Sequence, residues 1–423
     1  MENKKTKKKA RFIIPAAIVA AVVVSGAVFS HFGGFSTGKC ADVDEYAKYA
    51  GGVSDITVPE QAHVIALGEA THGNAEFQQL KLDVFKVMVE KYGVRSFAIE
   101  GDFGGSEAVD RYINGGDGTA SEAAGAIGFA IYRTEQMEQL ISWMRSYNDS
   151  AKEEDKLHFY GFDMQRVKYN YKYLLEAAKA CGADVTELES IWNADEEDFS
   201  DSSDAKKRIE VLENIKTEIE KSGDAQSAEA AHFADALIQN QKLDSDNSVS
   251  RDALMAENVL WILEQEKARG SERIFVSGHN GHVEKTGGYA GMGKVMGNLL
   301  ADELGDEYFS IGTDFYKTTC NVPKGDSYER TTHLFYSHDP LAKASMKCGN
   351  DVSWLDFSAV PDSSALRQQL DEAVWTGSVG EYYSPVMAFM PMMYRVWGVP
   401  TQLYDGMIFV SDAAPTEIIE ITE

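Results

Sequence analysis

Cysteine is scarce, with four in 423 residues (Cys40, Cys181, Cys320 and Cys348), and none fall in a CxxC pair. That spacing argues against a zinc ribbon. Outside the cytoplasm a Cys320–Cys348 disulfide is compatible with the sequence, and so are buried or free thiols. There is no HExxH zinc motif and no short internal repeat. The one GxSxG match, Gly34–Gly38, has no apolar strand before it and no helix after it, so it lacks the context of a serine-hydrolase elbow. Basic residues are also few, 40 Lys and Arg against 67 Asp and Glu. Six of them stand in residues 1–12, beside one Glu; without that segment 34 basic and 66 acidic side chains remain, a formal −32. No basic stripe offsets this, which excludes nucleic acid as a partner.

One long apolar run is present. Ile13–Phe29 is broken only by Pro15, Ser25 and Gly26. Basic residues before it and an acidic body after it predict a cytoplasmic N-terminus and an exported body. The run reads as a signal anchor over 13–30 that holds the chain to the membrane. The alternative is a signal peptide cut after Ser25-Gly26-Ala27. The rest, 31–423, has 44% hydrophobic and 11% aromatic residues across the whole chain to draw on, enough for a sizeable core.

The body is organised around His63–Phe103. Val64–Leu67 is a short apolar run ending at a glycine, as a buried strand does. Asn74 or Thr71 is placed to cap a helix in which Phe77, Leu80, Val84 and Met88 recur at helical spacing. Ser96–Ile99 is a second apolar run, closed by Glu100. The spacing predicts a strand–helix–strand unit of a parallel sheet. Further strands are predicted at Leu157–Phe162, Ile274–Ser277, Tyr308–Gly312 and Leu403–Val410, with a charged helical insertion over 164–270.

Four strand ends carry polar clusters: GEATHG, EGD, GFD and SGHNGH. Open α/β sheets place their sites at such ends. Lys81 lies within the apolar stripe of the first helix, and an inward lysine implies an anion beside it. Two mechanisms are compatible with these residues. In one, His72 is a general base oriented by Glu69 or Glu100, and Lys81, Arg251, His279 or His282 offsets oxyanion charge. In the other, His72, His279, His282 and a carboxylate hold a metal that activates water; a lysine aimed into the same cleft weighs against it. Arg251, Glu76 and Asp163 are candidate substrate-binding residues. The expectation is no metal and no cofactor.

With Glu76, Lys81, AIEGDF at Ala98–Phe103, FYGFDMQ at Phe159–Gln165, RDALMAENV at Arg251–Val259 and SGHNGHV at Ser277–Val283, the chain resembles the erythromycin esterase family from about Asp44 to Ala414. The resemblance implies a three-layer α/β/α fold with a mostly parallel sheet and a helical subdomain. It also implies hydrolysis of a small-molecule ester or lactone by activated water, without a serine nucleophile. Under it His72 stands as general base, Glu69 and Glu100 as supporting carboxylates, and His279 and His282 as a second pair. Lys81 falls where the characterised macrolide esterases carry arginine, which keeps the charge and loses the bidentate fork.

Overall fold

The computed structural model describes residues 39–420 except 193–203, 222, 224, 244–247, 288–292, 326–328 and 389. The basic segment 1–12 and the apolar run 13–30 lie outside the described residues. Among those described, no helix is long and apolar enough to cross a membrane.

Among the described residues a nine-stranded sheet forms the centre. Its strands are β1 (Ala50–Gly51), β2 (Val64–Glu69), β3 (Ser96–Asp102), β4 (His158–Asp163), β5 (Ile274–His279), β6 (Tyr308–Pro323), β7 (Arg330–Tyr336), β8 (Val352–Asp356) and, after the ribbon β9 (Val374–Gly377) and β10 (Arg395–Gly398), β11 (Gly406–Ala413). The order is β1-β8-β11-β6-β2-β5-β3-β4, with β7 added to the far part of β6. From β11 to β4 all neighbours are parallel, while β1, β8 and β7 pair antiparallel at the margins. β9 and β10 form a separate two-stranded ribbon.

Side-chain alternation along the buried strands builds two cores. Ile65 and Leu67 of β2, Phe97 and Ile99 of β3, and Phe275 of β5 join Phe85, Val109 and Met144 of the helices Ala75–Tyr92, Phe103–Ile113 and Glu135–Asn148. Val64, Ala66, Ala98 and Val276 face the other way, onto Val259, Leu300 and Leu341 of the helices Ser248–Ala268, Met296–Leu304 and Pro340–Lys347. A sheet with period-two side chains and apolar residues on both faces must be covered on both. Helices Lys168–Cys181, Thr186–Ile191, Ala205–Glu220 and Ala225–Lys242 follow β4 and share a third core, around Leu174, Leu212 and Leu237.

Several sequence expectations shift. β6 does not stop near Gly312 but runs to Pro323, its second half alternating buried and half-buried as it pairs with β7 on one side and β11 on the other. The last strand starts at Gly406 rather than Leu403, because Pro400 opens a short helix. Asn74 stands at the N-cap of Ala75–Tyr92, yet its side chain does not cap. Its amide donates to the carbonyls of Thr319 and Ala414, locking the β2 turn to β6 and to the chain beyond β11. All four cysteines are free thiols, so Cys320 and Cys348 are not joined.

Candidate active site

Strands β2, β5, β3 and β4 end at one edge, where a cavity of about 400 Å³ opens. His72, Glu100, Arg251, His279 and His282 line it. Close packing of backbone fixes this edge. A Cβ on Gly68 would lie 2.2 Å from Asn280 Oδ1, and that amide ties the β5 turn to Thr313 of β6. β3 has a register irregularity between Ile99 and Asp102, a bulge that turns Glu100 to the cavity. Gly161 accommodates it, since a Cβ there would meet the carbonyls of Gly101 and Asp102 at 2.4 Å.

Beneath His72 lies a closed polar network. His72 Nδ1 is 3.2 Å from Glu69 Oε2. Glu69 Oε1 accepts from Gln78 Nε2 at 2.9 Å and meets Lys81 Nζ at 3.0 Å. Lys81 Nζ also donates to Gln78 Oε1, and Gln78 Nε2 to the carbonyl of His72. All four residues are buried. Burial works against the Glu69 charge, but Lys81 and His72 overcome it and hold the carboxyl below its usual range. Burial likewise pulls His72 down, and the hydrogen bond and charge of Glu69 reverse this, leaving its pKa raised. For Lys81 burial wins and its pKa is lowered. Glu69 thus fixes the proton on Nδ1 of neutral His72, which leaves the Nε2 lone pair for chemistry.

The other two histidines are held in opposite states. His279 Nδ1 accepts from the Gly281 N–H at 3.2 Å, so the ring proton of the neutral form sits on Nε2, 3.3 Å from Ser378 Oγ. Burial, then repulsion from His72 and His282, pushes its pKa down to about 3. This ring is a neutral donor. His282 Nδ1 lies 2.8 Å from Asp252 Oδ1, and Nε2 lies 3.3 Å from Glu100 Oε1. Burial opposes its charge, but Glu100 and Asp252 raise its pKa to about 10, so it is an imidazolium at neutral pH. Arg251 Nη1 also approaches His282 Nε2 at 3.3 Å. With both ring nitrogens protonated this is a contact of two cations, offset by the carboxylates around them. Arg251 Nη2 bonds Glu100 at 2.8 Å and Asp163 at 2.6 Å. Glu100 also accepts from the His279 N–H at 2.8 Å; burial notwithstanding, His282 and Arg251 keep it ionised.

The structure therefore brings His72, Glu69, Glu100, His279, His282, Arg251 and Asp163 together. It moves two predicted residues out of the cleft. Lys81 faces Glu69 under the floor and is not available to an oxyanion, because the apolar stripe that carries it packs against the sheet. It consequently says nothing against a cation in the cleft above. Glu76 accepts from the Ala414 N–H at 2.8 Å and braces the chain after β11 instead of binding substrate. Among the described residues no group of three or more His, Cys, Asp or Glu side chains converges in a way that could hold a metal ion.

Four further polar residues were not found from sequence. Asp252 follows Arg251 directly, and its place on the same helix turn was the available signal. Gln165 closes the quoted FYGFDMQ motif and lines the cavity. Ser378 and Glu381 come from the segment after β9, with no local mark. Glu381 is held at the rim by Arg330 at 2.7 Å. Phe129, Ile131 and Val295 supply the apolar wall.

Comparison with known proteins bears on the family and the fold. A profile described as erythromycin esterase matches residues 89–413. The chain is 27% identical to "Erythromycin esterase type II" of Escherichia coli over 351 residues, 71% of this chain and 81% of that protein. In fold it is similar to a Bacillus cereus protein of known crystal structure, with TM-score 0.74 and 20% identity, over 90% of this chain and all of that one. It is also similar to the erythromycin esterase EreC, solved as a mutant in its open conformation, with TM-score 0.58 and 15% identity over 86% of this chain and 93% of that chain. By a profile match that covers most of the sequence, from the first crossover helix to the last strand, the chain belongs to the erythromycin esterase family.

Proposed function

We propose that this hydrolase cleaves a carboxylic ester or lactone with water activated by His72 and forms no covalent intermediate with the enzyme. Family membership supports a hydrolase, and one observation carries the finer reading. Three histidines at one cleft are held in three states, a base backed by a carboxylate, a neutral donor and an imidazolium. Environments that push titratable groups apart in this way divide the acid and base roles between them.

In the proposed step, Nε2 of neutral His72 takes a proton as water attacks the carbonyl carbon. The imidazolium that forms is stabilised by Glu69 through Nδ1–H. The carbonyl π bond breaks onto oxygen, where the Nε2–H of His279 and the positive charge of His282 and Arg251 favour the negative charge. When the tetrahedral species collapses, the C–O bond to the leaving alkoxide breaks and His72 returns its proton to that oxygen. Acid and alcohol are released, or a hydroxy acid from a lactone. Ser378 is not cast as nucleophile: the neutral His279 beside it carries its proton on the nitrogen that faces the serine, so it cannot take one.

The test is a panel of chromogenic esters, simple lactones and macrolides, assayed with and without EDTA. Hydrolysis that survives the chelator supports the reading. Loss with EDTA and recovery with zinc or manganese replaces it with metal-activated water, and binding without turnover across the panel replaces it with a ligand-holding protein. We place the enzyme outside the cytoplasm, tethered through 13–30, on the basic segment, apolar run and acidic body of its sequence.

A further inference from the structure

The rim of the cleft continues into a surface that the reaction does not use. Gly380 and Glu381 line the cavity, and residues 382–394 follow them, YYSPVMAFMPMMY, without one charged side chain in a chain that is 25% charged. Two single helical turns, Pro385–Ala388 and Pro391–Met393, carry this stretch, and β10 follows it. Tyr382, Val386, Met390, Met392, Met393 and, on β10, Trp397 are each between 41% and 54% exposed. Single exposed apolar residues are ordinary, but six within sixteen positions of an acidic protein are not. The stretch is well anchored. Arg330 grips Glu381 at one end, Tyr383 N–H donates to the Pro323 carbonyl, and Arg395 donates to the Tyr336 carbonyl at the other end.

We propose that residues 382–397 dock on a lipid bilayer, and that the cleft beside them receives a bilayer-resident amphiphilic ester. Three observations favour lipid over a protein partner. The surface offers exposed methionines and tryptophan, and its one charged side chain, Arg395, is buried: adaptable apolar side chains suit disordered acyl chains, and tryptophan suits the headgroup boundary. Trp397 pairs with Trp375 at 5.1 Å, and both border a surface cavity of about 660 Å³ with Lys39 and Cys40. Only residues 30–38 separate Lys39 from the apolar run, a tether of at most about 30 Å. A chain anchored by that run therefore holds this side of the body against the membrane. The cleft beside Gly380 and Glu381, where this stretch begins, offers an ester's acyl portion the apolar wall of Phe129 and Ile131. The net charge of −27 opposes anionic lipid, so docking is strongest on zwitterionic bilayers.

The proposal rests on ester hydrolysis and on the tether, and the experiment separates them. The full-length protein is reconstituted in phosphatidylcholine vesicles, with bromine-labelled lipid as a quencher of tryptophan fluorescence. Quenching is expected in the parent and is expected to fall in Trp397→Phe. Met390→Glu/Met393→Glu is expected to hydrolyse a long-chain ester embedded in the vesicles at least tenfold more slowly than the parent, with the rate on a soluble short-chain ester within twofold. Quenching that is independent of Trp397, or equal rates on the embedded ester, overturns the proposal. So does lipid-independent self-association of the parent that the double variant abolishes, since the surface then belongs to a second copy. If no ester is hydrolysed, the functional reading fails while quenching through Trp397 still decides docking.

Discussion

The buried pair under His72 yields a quantitative test. Lys81→Met leaves the Glu69 carboxylate with Gln78 and His72 as its remaining partners, in a site where all of them are buried. Glu69→Gln leaves the Lys81 ammonium buried without a counter-charge. Breaking a buried ion pair from one side costs about 3–5 kcal/mol, whereas replacing both partners is close to neutral. Each single variant should therefore lose about that much unfolding free energy in urea, at an unchanged slope. The double variant Glu69→Gln/Lys81→Met should recover most of it, giving a coupling energy of about 3 kcal/mol or more. Turnover should behave differently. The double variant still lacks the carboxylate that stabilises the His72 imidazolium, so it should regain stability without regaining rate. Lys81→Arg, which keeps the charge, should retain more activity than Lys81→Met. Singles within about 0.5 kcal/mol of the parent, or a double variant as unstable as the two losses added together, would refute the argument that these charges are mutually dependent.

Three other outcomes are expected, two from the structure and one from the sequence. The rate should rise with pH and then level off, because His72 must be neutral to act. Its raised pKa places the inflection above 6.5, and Glu69→Gln should move it down, since burial persists while the opposing charge is lost; a profile flat from pH 5 to 9 would contradict this. Gly68→Ala should destabilise the protein by about 1–3 kcal/mol in thermal or urea melts, because its Cβ meets Asn280 and Val283 between β2 and the β5 turn; an unchanged midpoint would count against that packing. Protease added to intact cells with an accessible surface should digest the body while sparing cytoplasmic markers, and full protection would overturn export.

The strands of the parallel sheet were legible because each is a short apolar run buried on both faces and stopped by polar residues. The clusters GEATHG, EGD, GFD and SGHNGH showed the shared edge for the same reason. Direction was less legible. Helical spacing put Lys81 on the inner stripe, but whether an inward lysine reaches the cleft or lies under its floor depends on where Glu69 points, which a one-dimensional pattern does not contain. Asn74 had the chemistry of a cap, yet long-range carbonyls of Thr319 and Ala414 outcompete the helix for its side chain. β7, β8, β9 and β10 lie at margins or in a separate ribbon, where one-sided burial weakens the apolar signal. Ser378 and Glu381 approach the site from a segment some hundred residues beyond β5, placed by tertiary contacts such as Val379 N–H to the Ala70 carbonyl.

The proposed chemistry rests on His72. Its Nδ1 is held by Glu69, and among the described residues no hydrogen bond occupies its Nε2. The most direct measurement is the steady-state turnover of folded His72→Ala on an ester the parent hydrolyses, with folding checked by circular dichroism and substrate binding measured separately. Removing a general base costs about two to four powers of ten. A loss of that size with binding retained is the predicted result; hydrolysis at the parent rate would contradict it and leave Glu69 or Glu100 to activate the water.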